Sequence, residues 1–178
     1  MIELLKTAGY KIDHNNREAI EKIADYFSQP QKKGLLLLGY YGTGKTWLIN
    51  IIKTVYPIRI YSTENVMQLV YRLGYVPSYF LEKQYDFKDN GISEPVSAVE
   101  YPACFDELGG QNDKKINVYG TEIFPMSEIL KAHYEKKIKC HAISNYEPET
   151  LVKLYGGEVV DRFKEMFITV KFKGESRR

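Results

Sequence analysis

The run Gly39-Tyr-Tyr-Gly-Thr-Gly-Lys45-Thr46 limits what this chain can fold into more than any other feature. It satisfies the pattern G-x-x-x-x-G-K-[ST], and that pattern has a mechanical basis. Glycines let the turn wrap closely enough for successive backbone N–H groups to point at phosphate oxygens. A helix opening at the turn adds the positive end of its dipole. Lys45 is then placed to reach the β- and γ-phosphates, and the Thr46 hydroxyl to ligate Mg²⁺. Such a turn needs a strand before it and a helix after it. Leu35 to Leu38 is an unbroken apolar run between glycines, as in a strand buried on both faces. Thr46 to Val55 then reads as a helix carrying Trp47, Leu48, Ile51, Ile52 and Val55, stopped at Pro57. The expected nucleotide-binding residues are therefore Gly39, Tyr40, Tyr41, Gly42, Thr43, Gly44, Lys45, Thr46 and Trp47.

The remaining pattern alternates short apolar strands with helices. Asn15 and Glu18 have the spacing of a capping box, and Ala19, Ile20, Ile23, Ala24 and Phe27 share one helical face. Ile58–Tyr61 reads as a second strand, followed by a helix capped by Ser62 or Thr63 and ending at Gly74. Residues 75–100 read as a long loop rich in aromatic side chains, Tyr75, Tyr79, Phe80, Tyr85 and Phe87 among them, with a helix conceivable from Ser78 to Tyr85. Ala103–Phe105 and Ile138–Ser144 read as further strands. Helices open at Pro125 and Pro148 and span Glu158–Met166, and Phe167–Phe172 alternates as a last strand. This order predicts an α/β fold, a P-loop NTPase three-layer α/β/α sandwich on a parallel sheet. Residues 1–30 form an N-terminal segment with one helix, and 31–178 the P-loop domain.

A P-loop needs a second acid at the end of a neighbouring strand. Asp106, after Ala-Cys-Phe, fits that place as a metal ligand beside Thr46, and Glu107 follows as the group that polarises a water. Small-molecule kinases need no such neighbour, and no arginine-rich substrate lid is evident, so the pair favours hydrolysis. Ser144-Asn145 ends the fourth strand, where an amide could orient the attacking water.

Taken together, GYYGTGKT, FDELGG, VYGTEIFPMSEILKAHYE, HAISN, LYGGEVVDRFKEMF and KFKGESRR resemble AAA+ ATPases of the helicase-loader branch, the DnaC/IstB-like family. The resemblance implies a five-stranded parallel sheet in the order 5-1-4-3-2, ATP with Mg²⁺, and DNA as a companion ligand. It implies ATP-dependent homo-oligomers with the nucleotide at subunit interfaces. Asp106 and Glu107 match the family's second acidic motif and Asn145 its first sensor. Arg162 matches the arginine finger that reaches a neighbouring subunit's ATP, although spacing alone equally fits a helical ion pair with Glu158 or Glu165. Arg178 falls near a second sensor, with Arg177 competing for the role, and the segment around Tyr10 to Asn16 is implied for adenine. His133-Tyr134 stands where the family often has Arg-Tyr, which makes His133 structural. Helicase loaders carry a partner-binding segment ahead of the core. Here about 30 residues precede the phosphate strand, and the AAA+ core is expected without a C-terminal lid.

Composition narrows the partners only a little. The net charge is +2, Lys136, Lys137 and Lys139 cluster, and fifteen tyrosines suit base stacking as well as packing. In loaders, a helix in the place of residues 64–87 contacts DNA. Two isolated cysteines, Cys104 and Cys140, lack metal spacing, and no apolar stretch reaches the ~18 residues of a membrane span. The expectation is a cytoplasmic ATPase acting with single-stranded DNA and a helicase or transposase partner, in replication or transposition. The alternative is a nucleotide-gated protein-binding module with little hydrolysis.

Overall fold

In the computed structural model, residues 1–29, 31–74, 102–174 and 176 are described, with the backbone of four two-residue strands at 83–84, 87–88, 91–92 and 96–97. Five parallel strands form the central sheet: β1 (Gly34–Leu38), β2 (Arg59–Ser62), β3 (Ala103–Asp106), β4 (Cys140–Ser144) and β5 (Phe167–Lys171). Their spatial order is β5-β1-β4-β3-β2, the expected 5-1-4-3-2.

Alternation along each strand builds the three layers. Leu36, Leu38, Ala103, Phe105 and Ala142 face one core, and Leu35, Leu37, Cys104 and Ile143 face the other. Helices α1 (Ile2–Thr7), α2 (Arg17–Ser28) and α3 (Lys45–Ile52) cover the second, so the segment 1–30 carries two helices rather than the one expected. Helices α4 (Thr63–Leu73), α5 (Pro125–Glu135), α6 (Pro148–Tyr155) and α7 (Gly157–Met166) cover the first. The four leucines of β1 are at most 4% exposed. Each buried leucine contributes about 1.5–3 kcal/mol, so the strand feeding the phosphate loop is anchored from both sides. Cys104 and Cys140 are free, buried and on opposite faces of the sheet.

Register fixes where the site lies. Leu38 pairs with Ser144, and Ser62 with Asp106. The loops that follow β1, β2, β3 and β4 therefore emerge along one edge, the carboxyl ends of parallel strands where α/β folds bind ligands. Ser62 caps α4 as expected, its Oγ accepting from Asn65 N at 3.1 Å.

Several local expectations are corrected. No capping box forms at Asn15: α2 starts at Arg17 after Asn16, with no side-chain cap bond. The buried Asn16 side chain accepts from Asp13 N and donates to Lys11 O, so a tertiary turn takes the amide that a helix end would have used. Tyr26, rather than Phe27, is the buried aromatic of α2. Trp47 and Val55 are exposed, because α3 ends at Ile52 and its first turn faces the cavity. Within the turn-rich 107–120 lies one arm of a hairpin, Ile116–Val118 with Thr121–Ile123, closed by Tyr119 and Gly120 at positive φ. Within the span where a helix from Ser78 to Tyr85 was conceivable, Lys83–Gln84 is instead a strand paired with Val96–Ser97, and the rest of that span lies outside the described residues. The aromatic side chains of 75–100 lie outside the described residues.

His133 is buried, its Nδ1 3.2 Å from Ile138 O, and burial lowers its pKa to about 4. It is a neutral core residue, in keeping with the structural role expected for it.

Candidate functional site

The loops after β1, β3 and β4 meet around a cavity of about 300 Å³ lined by Tyr10, Lys11, Tyr41, Gly42, Gly44, Lys45, Thr46, Trp47, Glu107 and Asn145. Gly44 caps α3 at φ +90°, and a Cβ there would collide with the Tyr10 ring. Only glycine fits that backbone and that neighbour together. Thr43 is fully buried, its hydroxyl turned back to Tyr40 O at 2.9 Å, which braces the turn. The Tyr40 side chain is exposed, and Gly39 passes close to the backbone of Phe172.

Lys45, 4% exposed, is held at Nζ by four oxygens: Gly39 O, Tyr40 O at 2.9 Å, Thr43 Oγ1 at 3.3 Å and Asn145 Oδ1 at 2.8 Å. Burial pulls its pKa down to about 8, against the opposing pull of the Asp106 carboxylate. The ammonium is thus charged at neutral pH and poorly hydrated, so a phosphate oxygen gains a strong charge-assisted contact there.

Asp106 ends β3 and is 8% exposed. Thr46 Oγ1 donates to its Oδ1 at 3.3 Å, and Glu107 N donates to the same oxygen at 2.9 Å. Burial raises the Asp106 pKa, while these two bonds and Lys45 hold it down. Hydroxyl and carboxylate converge as the hard oxygen pair that Mg²⁺ prefers. Among the described residues no cluster of three or more His, Cys, Asp or Glu could hold a metal. Thr46 and Asp106 supply two hard oxygens, and phosphate and water would have to complete the coordination of an ion there.

Glu107 has φ +63°, a left-handed conformation costing on the order of 1 kcal/mol in a non-glycine residue. This turn sends its exposed side chain into the cavity instead of along the strand. Thr63 Oγ1 donates to its carbonyl at 3.3 Å, and Gly110 N at 2.8 Å. Behind it, Leu108 N bonds Ile143 O, and Ser144 Oγ donates to Leu108 O at 2.7 Å, locking the Glu107 and Asn145 loops together.

The lining therefore unites Tyr41, Gly42, Gly44, Lys45, Thr46, Trp47, Glu107 and Asn145, with Asp106 just behind. Arg162 is not among the lining residues. It sits on α7, its Nη2 2.6 Å from Glu158 Oε1 and its guanidinium 4.9 Å from the centroid of the Tyr134 ring. Arg177 and Arg178 lie outside the described residues, while Ser176 rests against Gly42.

Tyr10 and Lys11, from the segment that the resemblance implied for adenine, do join the lining, while the contacts of Tyr146 and Asp113 have no counterpart in the motifs. Tyr10 packs against Trp47 with ring centroids 5.1 Å apart and the planes tilted by 44°, and donates to Gly44 O at 3.3 Å. Tyr146 reaches Tyr41. Asp113, 2% exposed, accepts from Gly109 N at 2.8 Å and from the Tyr155 hydroxyl, tying the Glu107 loop to α6. No spacing in the sequence signals these contacts.

Neither the protein-family models nor the curated protein sequences give a match to this chain. Solved structures do. A DnaC helicase loader superposes with a TM-score of 0.64 at 18% identity, covering 91% of this chain and 92% of that one. DnaI gives 0.54 at 17%, covering 93% and 86%. The replication initiator DnaA, solved with AMPPCP and single-stranded DNA, gives 0.57 at 14%, and this chain spans about half its length, with coverage of 92% and 48%. The chain has the P-loop α/β fold of these replication proteins, with its phosphate loop, acidic strand end and strand-end amide gathered at one cavity.

Proposed function

We propose that this chain binds and hydrolyses ATP with Mg²⁺ as an AAA+ protein of the helicase-loader kind, working with DNA in replication or transposition. The observation that carries the reading is the convergence of Lys45, Thr46, Asp106, Glu107 and Asn145 from three strand ends on one cavity. The phosphate loop and the α3 N-terminus bind the phosphates, and Lys45 neutralises them. Thr46 and Asp106 would hold Mg²⁺, which when bound would supply positive charge beside the phosphates. Glu107 polarises the attacking water, and Asn145 orients it. Tyr10 and Lys11 also line the cavity, and this reading assigns their side of it to the nucleoside. Within one protomer Arg162 is occupied by Glu158 and Tyr134, so its role as a finger belongs to an assembly in which it reaches a neighbouring copy's ATP. No described helix is long and apolar enough to cross a membrane.

The test is ATP turnover across protein concentration, with and without single-stranded DNA, beside Glu107→Gln and Arg162→Ala. The reading expects turnover to rise more than linearly with concentration, DNA to stimulate it, and both variants to lose it. Tight ATP binding with flat turnover, indifferent to DNA and to Arg162, overturns it in favour of a nucleotide-gated binding module.

A further inference from the structure

Tyr41 and Tyr146 meet hydroxyl to hydroxyl at 3.4 Å, joining the phosphate loop to the residue after Asn145. Tyr41 lines the cavity and is 57% exposed; Tyr146 is half-buried. Tyr146 stands outside the lining and reaches the cavity through Tyr41 and through its neighbour Asn145, which is a lining residue. Asn145, next to Tyr146, accepts from the Lys45 ammonium that is aimed at the β- and γ-phosphates. Glu107 is close enough that its charge helps raise the Tyr146 pKa, behind the larger effect of the Tyr41 hydrogen bond, so the phenol stays a neutral donor.

Tyr146 is also braced from below. Its N–H donates to Ser144 Oγ at 3.1 Å, and its ring packs so closely over Gly109 that a Cβ there would touch it. Its position is therefore set by both the strand-end loop and the Glu107 loop. A bond between two phenol hydroxyls that water can reach contributes little, because water competes for each hydroxyl. Phosphate oxygens are charged acceptors, and hydrogen bonds to them are roughly twice as strong as neutral ones. A terminal phosphate arriving beside Lys45 and Asn145 thus offers each hydroxyl a better partner than the other.

We propose that Tyr41 and Tyr146 form the terminal-phosphate sensor of this cavity, donating to the γ-phosphate of a nucleoside triphosphate and sharing one hydrogen bond between themselves when the ligand is a diphosphate. The assignment rests on the nucleotide-binding reading of the cavity. It makes the pair a determinant of triphosphate over diphosphate preference, acting through residues that the phosphate-loop pattern leaves free.

Trp47 is the only tryptophan in the chain and lines the cavity, so its fluorescence reads binding directly. The full chain is titrated with AMPPCP and separately with ADP, as wild type, Tyr41→Phe, Tyr146→Phe and Lys45→Ala. Each phenylalanine variant is expected to lose roughly tenfold or more in AMPPCP affinity, as for a lost hydrogen bond to a charged group. ADP affinity stays within about twofold, since the diphosphate does not reach the hydroxyls. A ratio of AMPPCP to ADP affinity unchanged in both variants overturns the sensor, as does an equal loss for both ligands, which makes the tyrosines merely structural. Lys45→Ala separates this from failure of the underlying reading. If neither ligand binds wild type, or Lys45→Ala binds both undiminished, the cavity is not the nucleotide site and the sensor falls with it.

Discussion

Lys45 Nζ donates to Asn145 Oδ1 at 2.8 Å, across 100 residues of sequence. This bond puts the cation of the phosphate loop and the amide of the fourth strand on one axis of the cavity. It also means that the charge state of Lys45 governs what the strand-end loop feels.

Lys45 has a pKa lowered by burial to about 8. Nucleoside triphosphate affinity should therefore fall as pH rises past about 8, because the neutral amine no longer offsets phosphate charge. Lys45→Arg should flatten the profile. Without ligand the sign reverses. The folded pKa lies below the unfolded value near 10.4, so the folded protein binds fewer protons and gains stability between about pH 8 and 10. Trp47 fluorescence titrations from pH 7 to 9.5, beside melts without ligand, measure both; a flat binding profile in wild type would show that the Lys45 ammonium is not the phosphate contact.

Asp113 carries a pKa raised by burial to about 6, against hydrogen bonds from Tyr155 and Gly109 that lower it. Its folded pKa exceeds the unfolded value near 3.9. Its contribution is thus fully present below about pH 4 and lost as pH rises to about 6, a change on the order of 2–3 kcal/mol. His133 and His141, lowered to about 4 and about 3, act oppositely and lose stability as pH falls below about 6.5. Comparing wild type with Asp113→Asn isolates the carboxyl. In urea unfolding at pH 4.5 and 7, the variant should gain on wild type by roughly 2 kcal/mol at the higher pH.

Tyr155→Phe removes the hydroxyl that donates to Asp113 and accepts from Gly109 N. At pH 7 it should cost about 1–3 kcal/mol, as for a buried acceptor losing its donor, and lower Tm by several degrees. A double-mutant cycle with Asp113→Asn should show coupling above about 0.5 kcal/mol. Additive effects would place the two residues outside one network.

Gly34→Ala tests the register on which the site depends. A Cβ at Gly34 would collide with the backbone carbonyl of Cys140, where β1 runs beside β4. Backbone atoms in a packed sheet cannot yield as a side-chain end can, so the cost should reach about 3 kcal/mol or more. Urea unfolding of the variant measures it; a loss under about 1 kcal/mol would mean that β1 and β4 can separate freely there.

The phosphate loop, its strand and its helix are legible in the residues because each requirement is local. Gly44 must adopt positive φ, and Leu35 to Leu38 must be apolar throughout to be buried on both faces. Asp106 and Glu107 were readable for a similar reason, since a polar pair ending an apolar strand marks its carboxyl end. The strand order, by contrast, came from family resemblance, and composition alone would not have given it.

The structure departs from these expectations where another contact wins. The helix expected to be capped at Asn15 starts after Asn16 instead, whose amide bonds Lys11 and Asp13 in the preceding turn. Trp47 met the helical period of α3 yet faces the cavity, against Tyr10. Hydrophobic period reports that a residue is apolar, not which surface its helix turns to the sheet.

Composition and spacing, then, determine the class of fold and name the residues of the candidate phosphate loop, because backbone conformation and burial act over a few residues. The meetings of Thr46 with Asp106, Lys45 with Asn145, Tyr41 with Tyr146 and Asp113 with Tyr155 were decided by sheet register and helix packing. These pairs stand 42 to 105 residues apart. Contacts of that range depend on how parallel strands align, which no local pattern encodes.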